Sequence, residues 1–166
     1  LLMRLQFDTE THRAELSALT TRKDEYNALV RKGIITGIQV ELARTLAQRE
    51  HLSTEMVLLT RFHVSKAELL RSLAAHYHLG VYDLESDPPV PADLTDRHKD
   101  KYDIFKAQLF LPVGWNNGKV VVAMAHPGDL PLRDDIPHLL GEKEVEFRLA
   151  ITEDVLSAID RQFEGQ

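Results

Sequence analysis

The sequence predicts an α+β fold in which a helical subdomain at residues 1–84, built on a tandem repeat, precedes a small ββαβα subdomain at residues 92–166. Three observations support this prediction. Apolar residues recur at helical spacing through the first part, strand-like runs rich in β-branched and aromatic residues begin near Leu109, and residues 85–91 between the two parts contain three prolines. Because proline fixes φ and lacks an amide hydrogen, we interpret this proline-rich segment as a linker.

In the helical part, residues 8–32 have the apolar spacing of one or two amphipathic helices. Gly33 is predicted to end this segment, because glycine readily adopts the left-handed conformation that follows many helices. Three further helices are expected, since hydroxyl side chains cap the free amide groups of a first turn. Their predicted N-caps are Thr36, Ser53 or Thr54, and Ser65.

One stretch of the helical part occurs twice. Residues 28–36 align with residues 57–65, so that an apolar helix end, a tight connection and a Ser/Thr N-cap follow one another in both copies. A unit this short cannot bury its apolar face alone. We therefore expect the two copies to pack into one small core, which is either purely structural or also lines a ligand site.

In the second part, a β-hairpin is predicted because two runs of β-branched and aromatic residues flank Asn117-Gly118, a dipeptide that supplies the positive φ angles of a tight turn. Alternating polar and apolar residues predict a third strand. A charge run at residues 96–101 is interpreted as solvated. The predicted elements are a short helix at 92–97, strands at 109–113 and 119–125, a helix at 130–140, a strand at 144–149 and a final helix at 152–163.

The net charge of −6 is divided unequally along the chain. Residues 1–80 hold eleven Lys/Arg and nine Asp/Glu, for +2, whereas residues 81–166 hold nine and seventeen, for −8. The first half can tolerate an anionic ligand, but the second should repel nucleic acid, so DNA or RNA binding is not expected. The lack of cysteine excludes disulfides and cysteine metal sites and fits a cytoplasmic location.

The sequence contains no motif of catalytic chemistry. The segment from Gly114 to Lys119 resembles a phosphate-binding loop, but that loop needs four residues between its glycines and a Ser or Thr after the lysine, whereas three residues and Val120 are present. The eight histidines show no metal-binding spacing, and no serine-nucleophile motif occurs. We predict a non-catalytic domain without a metal and, from the start at Leu1, expect it to belong to a longer polypeptide.

Several segments follow one another in an order that resembles one known family. They are Leu79 to Leu84, the proline-rich linker, Leu111-Pro112-Val113, residues 118–127 with their Val-Ala-Met-Ala-His-Pro end, residues 145–150 and residues 154–159. This order is similar to the N-terminal domain of type II secretion and type IV pilus assembly ATPases, the MshEN or GspE-N type. The resemblance implies a module that binds cyclic di-GMP through two tandem motifs, or docks an inner-membrane protein. The same domain also occurs on membrane glycosyltransferases that make exopolysaccharide.

In the nucleotide-binding branch of this family, each motif begins Arg-Leu-Gly. Here those positions hold Asp24-Glu25-Tyr26 and Ser53-Thr54-Glu55. An acid in place of arginine opposes a dianionic ligand, and a side chain in place of glycine blocks close backbone approach. A shifted register would instead use Arg22-Lys23 or His51-Leu52-Ser53. By resemblance, the ligand-binding positions are Leu29, Val30, Gly33, Ile34, Ile35, Leu58, Leu59, His63 and Val64, with Phe62 where the second glycine is expected.

Two functions are therefore compatible with the sequence. One is a regulatory domain that senses cyclic di-GMP, and the alternative is a protein-docking module that binds a membrane partner and no nucleotide. In either case the domain would act on an attached catalytic unit of the same chain, which is a secretion or pilus ATPase or an exopolysaccharide glycosyltransferase. It would work in the cytoplasm, at the inner face of a bacterial inner membrane.

Overall fold

The computed structural model describes residues 24–163. Helices and a sheet are both present, which confirms the predicted α+β class. Two compact units divide between His76 and Tyr77. The predicted helical segment before residue 24 lies outside the described residues. Within residues 24–163, no helix is both long and apolar enough to cross a membrane.

The first unit is helical, as predicted, and its hydroxyl caps are where the sequence places them. Thr36 and Gln39 form a reciprocal capping box, with N···O distances of 3.1 and 3.0 Å. Ser53 and Ser65 accept amide protons from the first turns of the next two helices, at 3.1 and 3.4 Å. The helices are α1 (Asn27–Arg31), α2 (Gly37–Glu50), α3 (Thr54–Thr60) and α4 (Lys66–Tyr77).

The two copies of the repeat differ by one residue in their connections. In the first copy Gly33 adopts the left-handed conformation at φ 73°, and in the second His63 does so at φ 53°. The closing hydrogen bonds run from Ile34 to the carbonyl of Leu29 and from Val64 to the carbonyl of Leu58, both at 3.0 Å. Gly33 therefore corresponds in structure to His63, and not to Phe62 as the sequence alignment placed it.

The second unit contains one four-stranded mixed sheet. Its strands are β1 (Gly80–Val81), β2 (Phe110–Asn116), β3 (Lys119–Met124) and β4 (Val145–Leu149), in the order β1-β4-β3-β2. Strand β4 is parallel to β1 and β3, whereas β2 and β3 are antiparallel. The helices are α5 (Ala92–Arg97), α6 (Tyr102–Gln108), α7 (Leu130–Leu140) and α8 (Thr152–Phe163), with a 3-10 turn at Lys99–Lys101. Helix α7 supplies the crossover that a parallel β3 and β4 require.

The predicted hairpin is confirmed. Asn117 and Gly118 take φ angles of 52° and 80° between the paired ends of β2 and β3. The core of this unit surrounds β3, whose residues from Val120 to Met124 are all buried. A strand covered on both faces has a continuous apolar sequence, which explains why this run does not alternate. Helices α6, α7 and α8 add Phe105, Ile136 and Ile159, which have no exposed surface.

Three features of the second unit differ from the prediction. Strand β1, which the sequence assigned to the helical part, pairs with Arg148 and Leu149 of β4. The chain therefore divides before the predicted boundary at residue 84, because this backbone pairing ties residues 80–81 to the sheet. His98 belongs to the charge run that the sequence predicts to be solvated, but it is 2% exposed and packs edge-on against Phe105, with ring centroids 6.5 Å apart. Helix α6 was not predicted at all.

Candidate ligand site in the helical repeat

The nine positions implied by resemblance separate into buried and accessible residues. Four contribute to the core of the first unit, because Leu29 and Leu58 have no exposed surface and Ile35 and Val64 are 3% and 5% exposed. Buried side chains of this kind support the fold and cannot contact a ligand without movement. Val30 and Leu59 are half-buried, and the exposed positions are Gly33, Ile34 and His63.

The two motif positions where glycine is expected contact each other. The hydroxyl of Tyr26 donates a hydrogen bond to Oε1 of Glu55 at 2.6 Å. Tyr26 is only 2% exposed. Burial, followed by the charge and hydrogen bond of Glu55, raises the pKa of Tyr26 far above its usual value, so the hydroxyl remains a donor. Tyr26 and Glu55, which are equivalent positions of the two repeats, are thus hydrogen-bonded to each other in space that a glycine at either position would leave empty.

A cation that the sequence did not single out lies beside this hydrogen bond. Arg44 of α2 pairs with Asp24 at 3.0 Å and with Glu25 at 3.5 Å, and its guanidinium lies 5.0 Å from the centre of the Tyr26 ring. Although burial alone lowers the pKa of Arg44, the charges of Glu25, Asp24 and Glu41 raise it overall. The acids at the first motif therefore hold an arginine from the same unit.

These contacts limit what the motif can bind. The Tyr26 hydroxyl is already used, and Arg44 is neutralised by carboxylates, including Glu41 at 3.4 Å. A phosphate diester placed here would meet the charges of Asp24, Glu25 and Glu55 at short range. In the shifted register, the hydroxyl of Ser53 already accepts the N-cap hydrogen bond of α3. Arg22 and Lys23 lie outside the described residues.

Within residues 24–163, no three His, Asp or Glu side chains are grouped so that they could hold a metal ion.

A sequence search could have found Arg44 from one signal only. It lies on α2 one residue after the buried Ala43 and four after the buried Val40, where a long cation needs partners.

A helical repeat followed by a small mixed sheet defines the chain as a two-unit α+β domain. The MshEN domain family matches residues 77–166, which is more than half of the chain, and the chain belongs to this family. The resemblance stated from the sequence is confirmed. So is the prediction that these residues are themselves non-catalytic, because the match is to a non-catalytic N-terminal domain.

Two solved structures are similar to the chain. A structure of MshE with cyclic di-GMP has a TM-score of 0.60 and 24% sequence identity, and the similarity covers 86% of this chain and 100% of that one. This likeness supports the fold of both units. The N-terminal domain of XpsE has a TM-score of 0.49 and 19% identity, over 85% of this chain and 97% of that one. No curated protein matches the sequence.

Proposed function

We propose that the chain is a regulatory and docking domain of a larger bacterial protein, and that its helical repeat acts through protein contacts without taking up cyclic di-GMP. The observation that carries this proposal is the 2.6 Å hydrogen bond between Tyr26 and Glu55. It joins the two positions at which a nucleotide-binding motif of this family needs glycine. The arginine expected beside the first glycine is replaced by Asp24, which binds Arg44 instead.

An exposed apolar stripe on α2 favours docking. Ile38 and Leu42 of this stripe are 52% and 49% exposed and lie on the same side of the helix because they are four residues apart, and Ile34, which precedes the helix, is 39% exposed. Contiguous exposed apolar side chains typically mark an interaction surface. We expect this stripe to be covered by a membrane protein of the secretion, pilus or exopolysaccharide system in which the chain works, with the domain at the inner face of the membrane. Ile38→Asp should abolish capture of that partner from solubilised membranes, whereas the exposed Gln48→Asp on the same helix should not.

Cyclic di-GMP sensing is the second candidate. Its support is the family and the fold shared with MshE, which was solved with this nucleotide. In this candidate the exposed Gly33, Ile34 and His63 would meet the ligand first, and the pairs Leu29-Val30 and Leu58-Leu59 would line the bases after the Tyr26 ring had moved.

Calorimetric titration of the chain with cyclic di-GMP separates the two candidates, with MshE as the positive control. We expect no heat of binding at nucleotide concentrations of about 50 μM, which corresponds to a free energy of binding weaker than about 6 kcal/mol. A saturable, stoichiometric binding curve in this range would overturn the proposal and favour sensing.

The attached catalytic unit is part of the same proposal. We expect a secretion or pilus ATPase or an exopolysaccharide glycosyltransferase. The sequence on either side of residues 1–166 would distinguish them, because the first has nucleotide-binding loops and the second has membrane-spanning helices.

A further inference from the structure

We propose that the second unit binds a small oxyanion, a phosphate or carboxylate group, in a cleft of about 680 Å³ beside strand β1. The segment from His78 to Val81, strand β4 and Arg133 of α7 line this cleft. Its volume lies in the range of roughly 300–1,000 Å³ that is usual for small-molecule sites. The cleft is lined by residues of the second unit, whereas the candidate nucleotide motifs at residues 24–65 belong to the first, so this proposal and the proposed function can fail independently.

Arg133 is the residue that points to an anion. Its guanidinium lies 5.1 Å from the centre of the Phe147 ring, and Nη1 donates to the carbonyl of Pro127 at 3.3 Å. These two contacts fix the plane of the guanidinium without neutralising its charge. Within residues 24–163, no carboxylate forms an ion pair with it, although Asp134 and Asp135 follow it on the same helix.

The other charges of the cleft are already matched to each other. Nε and Nη2 of Arg148 donate to the same oxygen of Glu146 at 2.9 and 2.8 Å, and the amide of Asn116 donates to the other oxygen at 2.9 Å. The Asn116 hydrogen bond, and then that of Arg148, lowers the pKa of Glu146, which keeps this carboxylate ionised at neutral pH. Glu146 therefore balances Arg148, and the net positive charge of the cleft comes from Arg133.

A second arginine of the same unit shows what is unusual about Arg133. The guanidinium of Arg97 also lies over an aromatic ring, 5.5 Å from the centre of Trp115. Its Nη1, however, pairs with Oε1 of Glu142 at 3.0 Å. Both arginines are thus held by a cation–π contact, but only Arg97 has a carboxylate partner among the described residues. Arg97 is a matched control for every experiment on Arg133.

The chemistry of guanidinium groups selects the ligand class. A planar guanidinium presents paired N–H donors that match the two oxygens of a carboxylate or phosphate. The N–H groups of Arg133 outside its Pro127 hydrogen bond face no acceptor of the described chain. An oxyanion would thus supply the counter-charge that Arg133 does not find among the described residues.

The test is a pair of titrations of the 166-residue chain at neutral pH, one with inorganic phosphate and one with succinate. Sodium chloride holds the ionic strength constant, and NMR follows the backbone amides of β1 and β4 and the Nε–H of Arg133. We expect saturable shifts with at least one ion. Phosphate alone would assign a phosphate ligand, succinate alone a carboxylate ligand, and both the shared chemistry.

The variants then locate the site. Arg133→Gln should weaken binding by about tenfold or more, Arg133→Lys should weaken it less because the charge remains, and Arg97→Gln should change it by less than about twofold. The fold of each variant is checked by far-UV circular dichroism, because Arg97 lies over the ring of Trp115 and its replacement would change the tryptophan fluorescence directly. The proposal is overturned if neither ion gives a saturable shift, if Arg133→Gln binds like the wild type, or if Arg97→Gln loses binding equally.

Discussion

Removal of the Tyr26 hydroxyl tests the contact on which the proposed function depends. Tyr26→Phe keeps the buried ring and its packing but deletes the donor of the 2.6 Å hydrogen bond to Glu55. The carboxylate of Glu55 then loses its partner in the other copy of the repeat. Because Glu55 is only partly buried, water can replace part of that interaction.

The size of the effect follows from the kind of hydrogen bond. A bond to a charged group contributes about 1.5–3 kcal/mol, and partial exposure places this one toward the lower end, at about 1–2 kcal/mol. The loss should appear in the stability of the helical unit. Glu55→Gln keeps an acceptor oxygen but removes the charge, so it should cost less than Tyr26→Phe.

Urea unfolding can be measured separately for each unit. Helices of both units contribute to far-UV circular dichroism, whereas the fluorescence of Trp115 reports the second unit alone. The helical transition of the first unit is therefore the part of the circular dichroism change that the Trp115 signal does not follow. We expect Tyr26→Phe to lower the midpoint of the helical transition while the Trp115 transition stays unchanged. The double variant Tyr26→Phe/Glu55→Ala should be less destabilised than the sum of the two single variants, because the partners share one interaction.

A loss below about 0.5 kcal/mol, or strictly additive single variants, would refute the reasoning. Either result would mean that the Tyr26–Glu55 contact contributes little free energy. The motif positions could then open for a ligand at low cost, and the case against nucleotide binding would lose its physical basis.

Three further predictions concern the second unit, and all are measured by urea unfolding followed through Trp115. Burial, and then Lys101 and Arg97, lower the pKa of His98, whereas Glu142 and Asp100 oppose them, so the unfolded chain binds the proton more readily. The stability should fall as pH drops below about 6.5, and His98→Leu should remove that dependence. Gly118→Ala should cost about 1–2 kcal/mol, because φ is 80° at this turn position. Phe105→Ala should cost about 3–5 kcal/mol, since its side chain has no exposed surface, whereas the neighbouring Ile104→Ala, at 39% exposure, should cost far less.

The features that the sequence could predict are those with a local physical cause. The predicted caps are Thr36, Ser53 or Thr54, and Ser65, because a hydroxyl at the start of an apolar period has few other roles, and the structure selects Ser53 for the second. The Asn117-Gly118 turn followed from the φ angles that only a few residue types tolerate. These choices depend on neighbours within a few positions, and the structure agrees with each of them.

The missed features depend on distant partners. Strand β1 has two residues, too few for any alternation, and it exists because residues 148–149 offer a parallel edge. His98 stands among charged residues in sequence but packs against Phe105 of the following helix. The contacts of Arg44 with the first motif were missed because Asp24 and Glu25 precede it by about twenty positions, and the local pairing with Glu41 does not point to them. Tertiary context decided all three.

The Tyr26–Glu55 pair shows how both kinds of information combine. The repeat alignment identified the two positions and showed that each carries a side chain where glycine is expected, but it treated them as two separate defects. In the structure they are one interaction, since each partner satisfies the other at 2.6 Å. Replacing Tyr26 alone by glycine would leave the Glu55 carboxylate without its donor, and replacing Glu55 alone would leave a buried hydroxyl unpaired, so each single change costs stability without opening both motifs. Only the double replacement removes both side chains together. Tyr26 and Glu55 therefore occupy the two glycine positions as one interacting pair, and not as two independent substitutions.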